Sequence, residues 1–374
     1  MKMSKLKSIY LGSVNPPIYQ ASTIAFDSLA DLAKADKQYG RVGTETNEAL
    51  ALAISKLENA AKTIITSSGV SAITHSLLPL LKTGDHILVC DTAYLPTHFF
   101  CNGLLNNFGI TTSYYDAKAS GDDITKLIQD NTKLIFLESP SSLVYEIQEL
   151  DEIVQLAKDH NIITAIDNTW AAGELFKPLD IGIDISIQSL SKYCGGHSDV
   201  LLGSISFKNE KLYSEIWDSF YQLGNHASPQ DCYLAYRGLQ TLATRLNAHQ
   251  ESALKLAKFL EARNEIKEVI YPGLDSFVQK ERFEKYFKGG NGLISFTFAD
   301  KISQDEIKKF VDNLQYFKIG FSWGGYESLV MYYPDCSQKI SDNYGSTLVR
   351  IHVGLENVND LEVDLTKSLE NSIC

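Results

Sequence analysis

IDISIQSLSKYCGGHSDVLLGSISF, Ile183–Phe207, sets two short, largely apolar runs, IDISIQ and LLGSISF, on either side of a polar turn. Runs of that length and β-branched content read as strands buried on both faces. The turn between them carries Lys192, Cys194, His197 and Asp199, with Gly195-Gly196 in the middle. A lysine on such a turn usually ends up solvated. If it is instead desolvated between buried strands, its pKa falls and it can serve as a base or as a covalent amine. The hydroxyls of Ser189 and Ser191 before it are able to bind a phosphate. A metal reading fares worse, because Cys194-x-x-His197 supplies two ligands at most where three or four must converge. His197 and Asp199 then read as hydrogen-bonding groups of the turn, and Cys194 as a packing thiol.

Upstream, IITAIDNTWAAG (Ile162–Gly173) places Asp167 at the carboxyl end of another apolar strand. A carboxylate there is costly unless a cation pairs with it; it either caps the following turn or holds a proton on a ligand nitrogen. Further back, TIITSSGVSAIT runs from a strand through Ser67-Ser68-Gly69 into a helix. Free backbone N–H groups at such a start suit an anion, although Ser68 reads equally well as an N-cap. HILVCD, ITTSYY and KLIFLE are further strands, and ALALAISKLENA and ELDEIVQLAKDHN are amphipathic helices. Strands alternating with helices imply an α/β domain with a mostly parallel sheet, whose ligands sit at the strands' carboxyl ends. Beyond Tyr236 come a long helix, TLATRLNAHQESALKLAKFLEARN, the alternating strand GLISFTF, the helix ISQDEIKKFVDNL and the strand STLVRIHVG, which suit a smaller α+β domain. The boundaries expected are an aperiodic segment 1–43, a large domain 44–236 and a C-terminal domain 237–374.

A strand-end aspartate, a phosphate-ready helix start and a strand-end lysine together suit pyridoxal 5'-phosphate. The bulk composition is that of a soluble, acidic protein: 374 residues with 44% hydrophobic and 21% charged residues are ordinary globular values, and a net charge of −12 disfavours nucleic acid and anionic membranes as partners. No apolar run approaches a membrane span. Six scattered cysteines without a C-x-x-C pair read as reduced, buried thiols in a cytoplasmic protein.

The segments NPPIYQAST, YGRVGTET, DTAYLPTHFF, IFLESPSS, IDNTWAAG, SKYCGGHSD, RGLQTLATRL, FSWGGYESL and LVRIHVGLEN follow one another from Asn15 to Asn357. In this order they resemble the Cys/Met-metabolism, or transsulfuration, family of pyridoxal-phosphate enzymes. The resemblance implies the aspartate-aminotransferase-like fold type I. It implies that Lys192 is the Schiff-base lysine and also the base at Cα, that Asp167 partners the pyridinium nitrogen, and that Tyr94 stacks on the ring and assists proton transfer. Gly69 and Val70 match backbone phosphate donors, and Ser189 and Ser191 match hydroxyl contacts. Tyr39 and Arg41 match a pair that reaches the neighbouring subunit's phosphate. Segment 1–43 is then an arm, and the active site belongs to a dimer within a homotetramer. Arg350 matches the arginine for the substrate α-carboxylate, with Ser322 and Trp323 lining the pocket beside it. Trp323 and Tyr326 are most similar to the branch that β-eliminates cystathionine; γ-eliminating and γ-replacing branches share the same lysine, aspartate and arginine. Val42 stands where bacterial members of the β branch carry a second arginine.

Overall fold

The computed structural model describes residues 12–334 and 344–373. Cys336 and Cys374, read above as buried thiols, lie outside the described residues, as do the first eleven residues of the expected arm. The larger sheet has seven strands: β1 (Lys62–Thr66), β2 (His86–Cys90), β3 (Thr111–Tyr115), β4 (Thr132–Glu138), β5 (Ile163–Asp167), β6 (Ile185–Ser189) and β7 (Gly203–Phe207). Their spatial order is β1-β7-β6-β5-β4-β2-β3. All neighbours run parallel except β7, which is antiparallel to both β1 and β6. The connection between β6 and β7 turns back on itself without a crossover helix, and the two strands pair antiparallel. The central strands are buried along nearly their whole length, as a sheet covered by helices on both faces requires.

The smaller sheet comprises β8 (Ile266–Ile270), β9 (Leu293–Phe298), β10 (Lys318–Ile319), β11 (Leu329–Tyr333) and β12 (Leu348–His352), in the order β10-β11-β12-β9-β8. It is antiparallel apart from the β10–β11 pair. The helix Leu242–Glu261 links the two halves: Leu242 and Leu246 join the core of the large sheet, whereas Ala253, Leu256, Ala257 and Leu260 join the core of the small one. Spacings of three and four keep these residues on a helix's buried side.

Residues 12–39 are mostly exposed in the single chain. They include a short helix, Leu29–Lys34, and a bridge between Thr23 and Tyr39. Thr46 ties this segment down, its hydroxyl donating to the Pro17 carbonyl at 2.9 Å and accepting from the Tyr19 N–H at 2.8 Å.

Candidate active site

The parallel strands β4, β5 and β6 end side by side, and their last residues are Glu138, Asp167 and Ser189. Glu138 and Asp167 are direct register partners. The chain after Ser189 then turns back to β7, and Lys192 sits at the start of that turn. Its ammonium nitrogen contacts the Ser322 hydroxyl and lies 5.4 Å from the centre of the Trp323 ring. Burial pushes the Lys192 pKa down to about 8; the Arg350 cation pushes the same way, and Asp167 opposes both. The local sequence therefore does to this lysine what its position between buried strands predicts.

Asp167 is buried and accepts a hydrogen bond from the Thr169 N–H at 2.9 Å. Burial raises its pKa, while Thr169 and the Lys192 charge favour the ionised form. Arg350, buried on β12, donates through Nη2 to the Ser322 carbonyl at 3.2 Å, and its Nε has no partner among the described residues. A buried guanidinium with an unused donor is suited to a carboxylate brought in by a ligand.

Gly69 and Val70 open the helix Gly69–Leu77, so their N–H groups have no acceptor within it. Ser68 is indeed its N-cap, accepting from the Ser71 N–H at 3.0 Å. A Cβ on Gly69 would lie 2.6 Å from Cβ and 2.8 Å from Oγ of Ser189, so the helix start and the end of β6 touch directly. The Asn225 side chain steadies this corner, accepting from the Ser67 N–H at 3.3 Å. The Ser191 hydroxyl is engaged inside the turn, accepting from the Leu202 N–H at 3.1 Å and donating to the Leu202 carbonyl at 3.3 Å. His197 also serves the turn, donating from Nδ1 to the Gly195 carbonyl at 2.8 Å, whereas Asp199 is exposed.

Tyr94 caps the N-terminus of the helix Leu95–Phe100 with its ring partly exposed. Burial together with the charges of Asp167 and Glu138 raises its pKa, so the phenol keeps its proton. What fixes this tyrosine is Glu138, a residue the sequence reading did not single out. Its Oε2 accepts from the Tyr94 N–H at 2.7 Å and its Oε1 from the Ser142 hydroxyl at 2.8 Å. Burial and the neighbouring Asp167 push the Glu138 carboxyl well above the usual range. The signal was available, since IFLE ends a strand in a carboxylate as IITAID does.

Tyr39 and Arg41 stand apart from this group. Arg41 stacks 4.6 Å from the centre of the Tyr221 ring and donates to the Tyr221 carbonyl at 3.2 Å. Among the described residues no hydrogen bond or ring contact joins either of them to Lys192, Asp167 or Gly69.

Residues 2–370 match the family model described as Cys/Met metabolism PLP-dependent enzyme. A cystathionine beta-lyase of Haemophilus influenzae is 40% identical, the match covering 96% of this chain and 94% of that protein. An L-alanine/L-glutamate racemase of Wolbachia pipientis is 38% identical over 98% of this chain and 94% of its own length. Among solved structures, cystathionine gamma synthase from Xanthomonas oryzae, in complex with aminoacrylate and cysteine, superposes with a TM-score of 0.91 at 31% identity. That superposition covers 96% of this chain and 94% of the other.

Proposed function

This chain belongs to the Cys/Met metabolism PLP-dependent enzymes, and within that family we propose that it cleaves the Cβ–S bond of cystathionine by β-elimination. Pyridoxal 5'-phosphate is the family's cofactor, and the residues present fit it. The partly desolvated Lys192, the buried Asp167, the open N–H groups of Gly69 and Val70, and Ser189 against Gly69 form one continuous cradle. Lys192 would hold the aldehyde carbon, Asp167 the ring nitrogen, and Gly69, Val70 and Ser189 the phosphate; Ser191 would join them only by giving up its hydrogen bond to the Leu202 carbonyl. When bound, the cofactor supplies an electron sink for the carbanion at the substrate Cα.

Each remaining step falls to the protein. Arg350 takes the α-carboxylate with its free Nε and sets the substrate's direction, with Ser322 beside it. Lys192 Nζ removes the Cα proton; a pKa of about 8 leaves part of it unprotonated near neutrality. The Thr169 hydrogen bond and the Lys192 charge favour the ionised form of Asp167 against its burial. The Tyr94 phenol, whose residue Glu138 anchors through the backbone N–H, retains a proton to give to the departing thiolate. The Cα–H and Cβ–S bonds break, and with water the products are homocysteine, pyruvate and ammonia.

The observation that carries the β reading is the seat of Trp323. Its ring lies against Lys192 Nζ and 5.4 Å from the Tyr193 ring centre. The residue on which the likeness to the β-eliminating branch rests is therefore a wall of the pocket at the base. The Haemophilus relative's name agrees. Tyr39 and Arg41, without a place in their own chain's pocket, would complete the neighbouring subunit's phosphate site in a tetramer of the cytoplasm. Val42 brings no second cation to the far end of the substrate, so shorter β-thiols such as cysteine should compete. The test is to incubate the loaded enzyme with cystathionine and identify the keto acid. Pyruvate with homocysteine is expected; 2-oxobutyrate with cysteine would assign γ-elimination instead.

A further inference from the structure

Two residues beyond Arg350 on β12, and so on the same face of the strand, stands His352. It is fully buried, and both ring nitrogens are used. Nε2 accepts the Gly324 N–H at 3.0 Å, and Nδ1 donates to the Glu327 carbonyl at 3.0 Å. A backbone N–H can only donate and a carbonyl can only accept, so these partners specify a neutral ring with its proton on Nδ1. The rings of His249 and Tyr193 pack around it, with centroids 5.2 and 5.9 Å away.

The two hydrogen bonds grip the turn that presents Ser322 and Trp323 to the pocket. Gly324 has φ +87°, and a Cβ there would lie 2.7 Å from the Tyr193 nitrogen and 2.9 Å from the Lys192 carbonyl carbon. The turn thus rests on the backbone of the lysine itself. Ser322 has φ +90°, a conformation that a non-glycine residue keeps only when its surroundings impose it. Arg350 holds the Ser322 carbonyl and His352 holds the Gly324 N–H, so adjacent same-face residues of one strand fix both ends of the strained step.

We propose that His352 is a positioning residue for the substrate carboxylate. By accepting from Gly324 in its Nδ1–H form, it sets the height at which Ser322 and Trp323 stand over Lys192. The inference rests on the reading of Arg350, Ser322 and Trp323 as the carboxylate side of the pocket.

His352→Leu removes the acceptor and leaves the Gly324 N–H buried and unpaired. In the holoenzyme, amide exchange across residues 324–328 should quicken by about tenfold or more, and KM should rise by about tenfold. Turnover at saturation should stay within about threefold. His352→Gln keeps an acceptor at the reach of Nε2 and should recover most of both effects. Unchanged exchange and KM in the leucine variant would overturn the proposal. So would a loss spread evenly over kcat, KM and thermal midpoint that glutamine does not recover. Should the leucine variant not fold, neutron diffraction on the unsubstituted holoenzyme decides: deuterium on Nδ1 alone supports the assignment, and deuterium on Nε2 refutes it. Arg350→Gln separates the two layers of the argument, because it should raise KM by about 100-fold. An unchanged KM there refutes the carboxylate reading. A raised KM there, with His352→Leu silent, refutes this inference alone.

Discussion

The same two strands carry opposite chemistry on their two sides. Asp167 and Ser189 end β5 and β6 facing the pocket, whereas their chain neighbours Asn168 and Gln188 face the other way, into the protein. There they meet Glu58, the fully buried last residue of the helix Glu45–Glu58. The Gln188 amide donates to Glu58, the Asn168 amide lies 3.4 Å from both its carboxylate oxygens, and the Cys194 thiol donates to Gln188 Oε1 at 3.4 Å. On the pocket side the Asp167 carboxylate faces the Lys192 ammonium, and Arg350 beyond it keeps a free donor among the described residues. On the underside a carboxylate faces amides and a thiol, with only the more distant charge of Lys177 in its favour. Burial dominates below, raising Glu58 to about 7 and Cys194 to about 12. One residue of register therefore separates groups kept open for ligands from groups closed upon one another.

The largest contrast expected is between substitutions on the two sides. Lys192→Ala should lower turnover by about 10⁴-fold, the top of the range for a positioned acid–base group, and should abolish covalent retention of the cofactor. Glu58→Gln, on the underside, should leave kcat within about threefold. A loss of 10²-fold or more in the glutamine variant, measured on cofactor-saturated enzyme, would show that the two sides are not separable in function.

A smaller effect reads the pocket side alone. Covalent capture of pyridoxal phosphate needs Lys192 unprotonated, and its pKa lies at about 8 instead of 10.5. Capture by the apoenzyme, followed by absorbance, should therefore accelerate with pH up to about 8 and then level off. Arg350→Gln removes a cation that holds this pKa down, so the midpoint should move upward. A rate that climbs unbroken to about pH 10 in the unsubstituted protein would mean that the lysine is solvated.

How far this arrangement could be read beforehand depends on sequence distance. The buried strands were legible because each is a nearly unbroken apolar run: HILVCD contains His86–Cys90 and IITAID contains Ile163–Asp167. Strand-end polar residues were legible for the same reason, their position being defined by the run they terminate. β8 went unread because its IKEVI sequence alternates charge at an exposed edge, and β11 because it follows directly upon the SWGGYE turn. The contacts that tie the site to its surroundings are long-range. Gln188 meets Glu58 across 130 positions, and Gly324 meets His352 across 28. No periodicity or spacing marks such pairs; only the folded packing brings them together. The aperiodic character of the N-terminal segment was visible in the sequence, whereas the exposure of residues 12–39 emerges only from the fold.

The smallest effect concerns stability, and it tests the underside by itself. Glu58 binds its proton more tightly in the folded protein, at about 7, than at the ordinary 4.5. Its favourable contribution is accordingly complete below about pH 4.5 and is lost as pH rises through about 7. At 1.36 kcal/mol per unit the loss amounts to at most about 3 kcal/mol. Glu58→Gln keeps an acceptor for Gln188 but has no proton to lose, so this slope should vanish. Denaturant midpoints at equal protein and cofactor concentration should bring the variant level with or below the unsubstituted enzyme near pH 5 and above it near pH 8.5. Two curves running parallel across that range would mean that Glu58 is already ionised in the fold. The underside would then hold a charge without a close cation, and burial would no longer be what distinguishes it from the pocket.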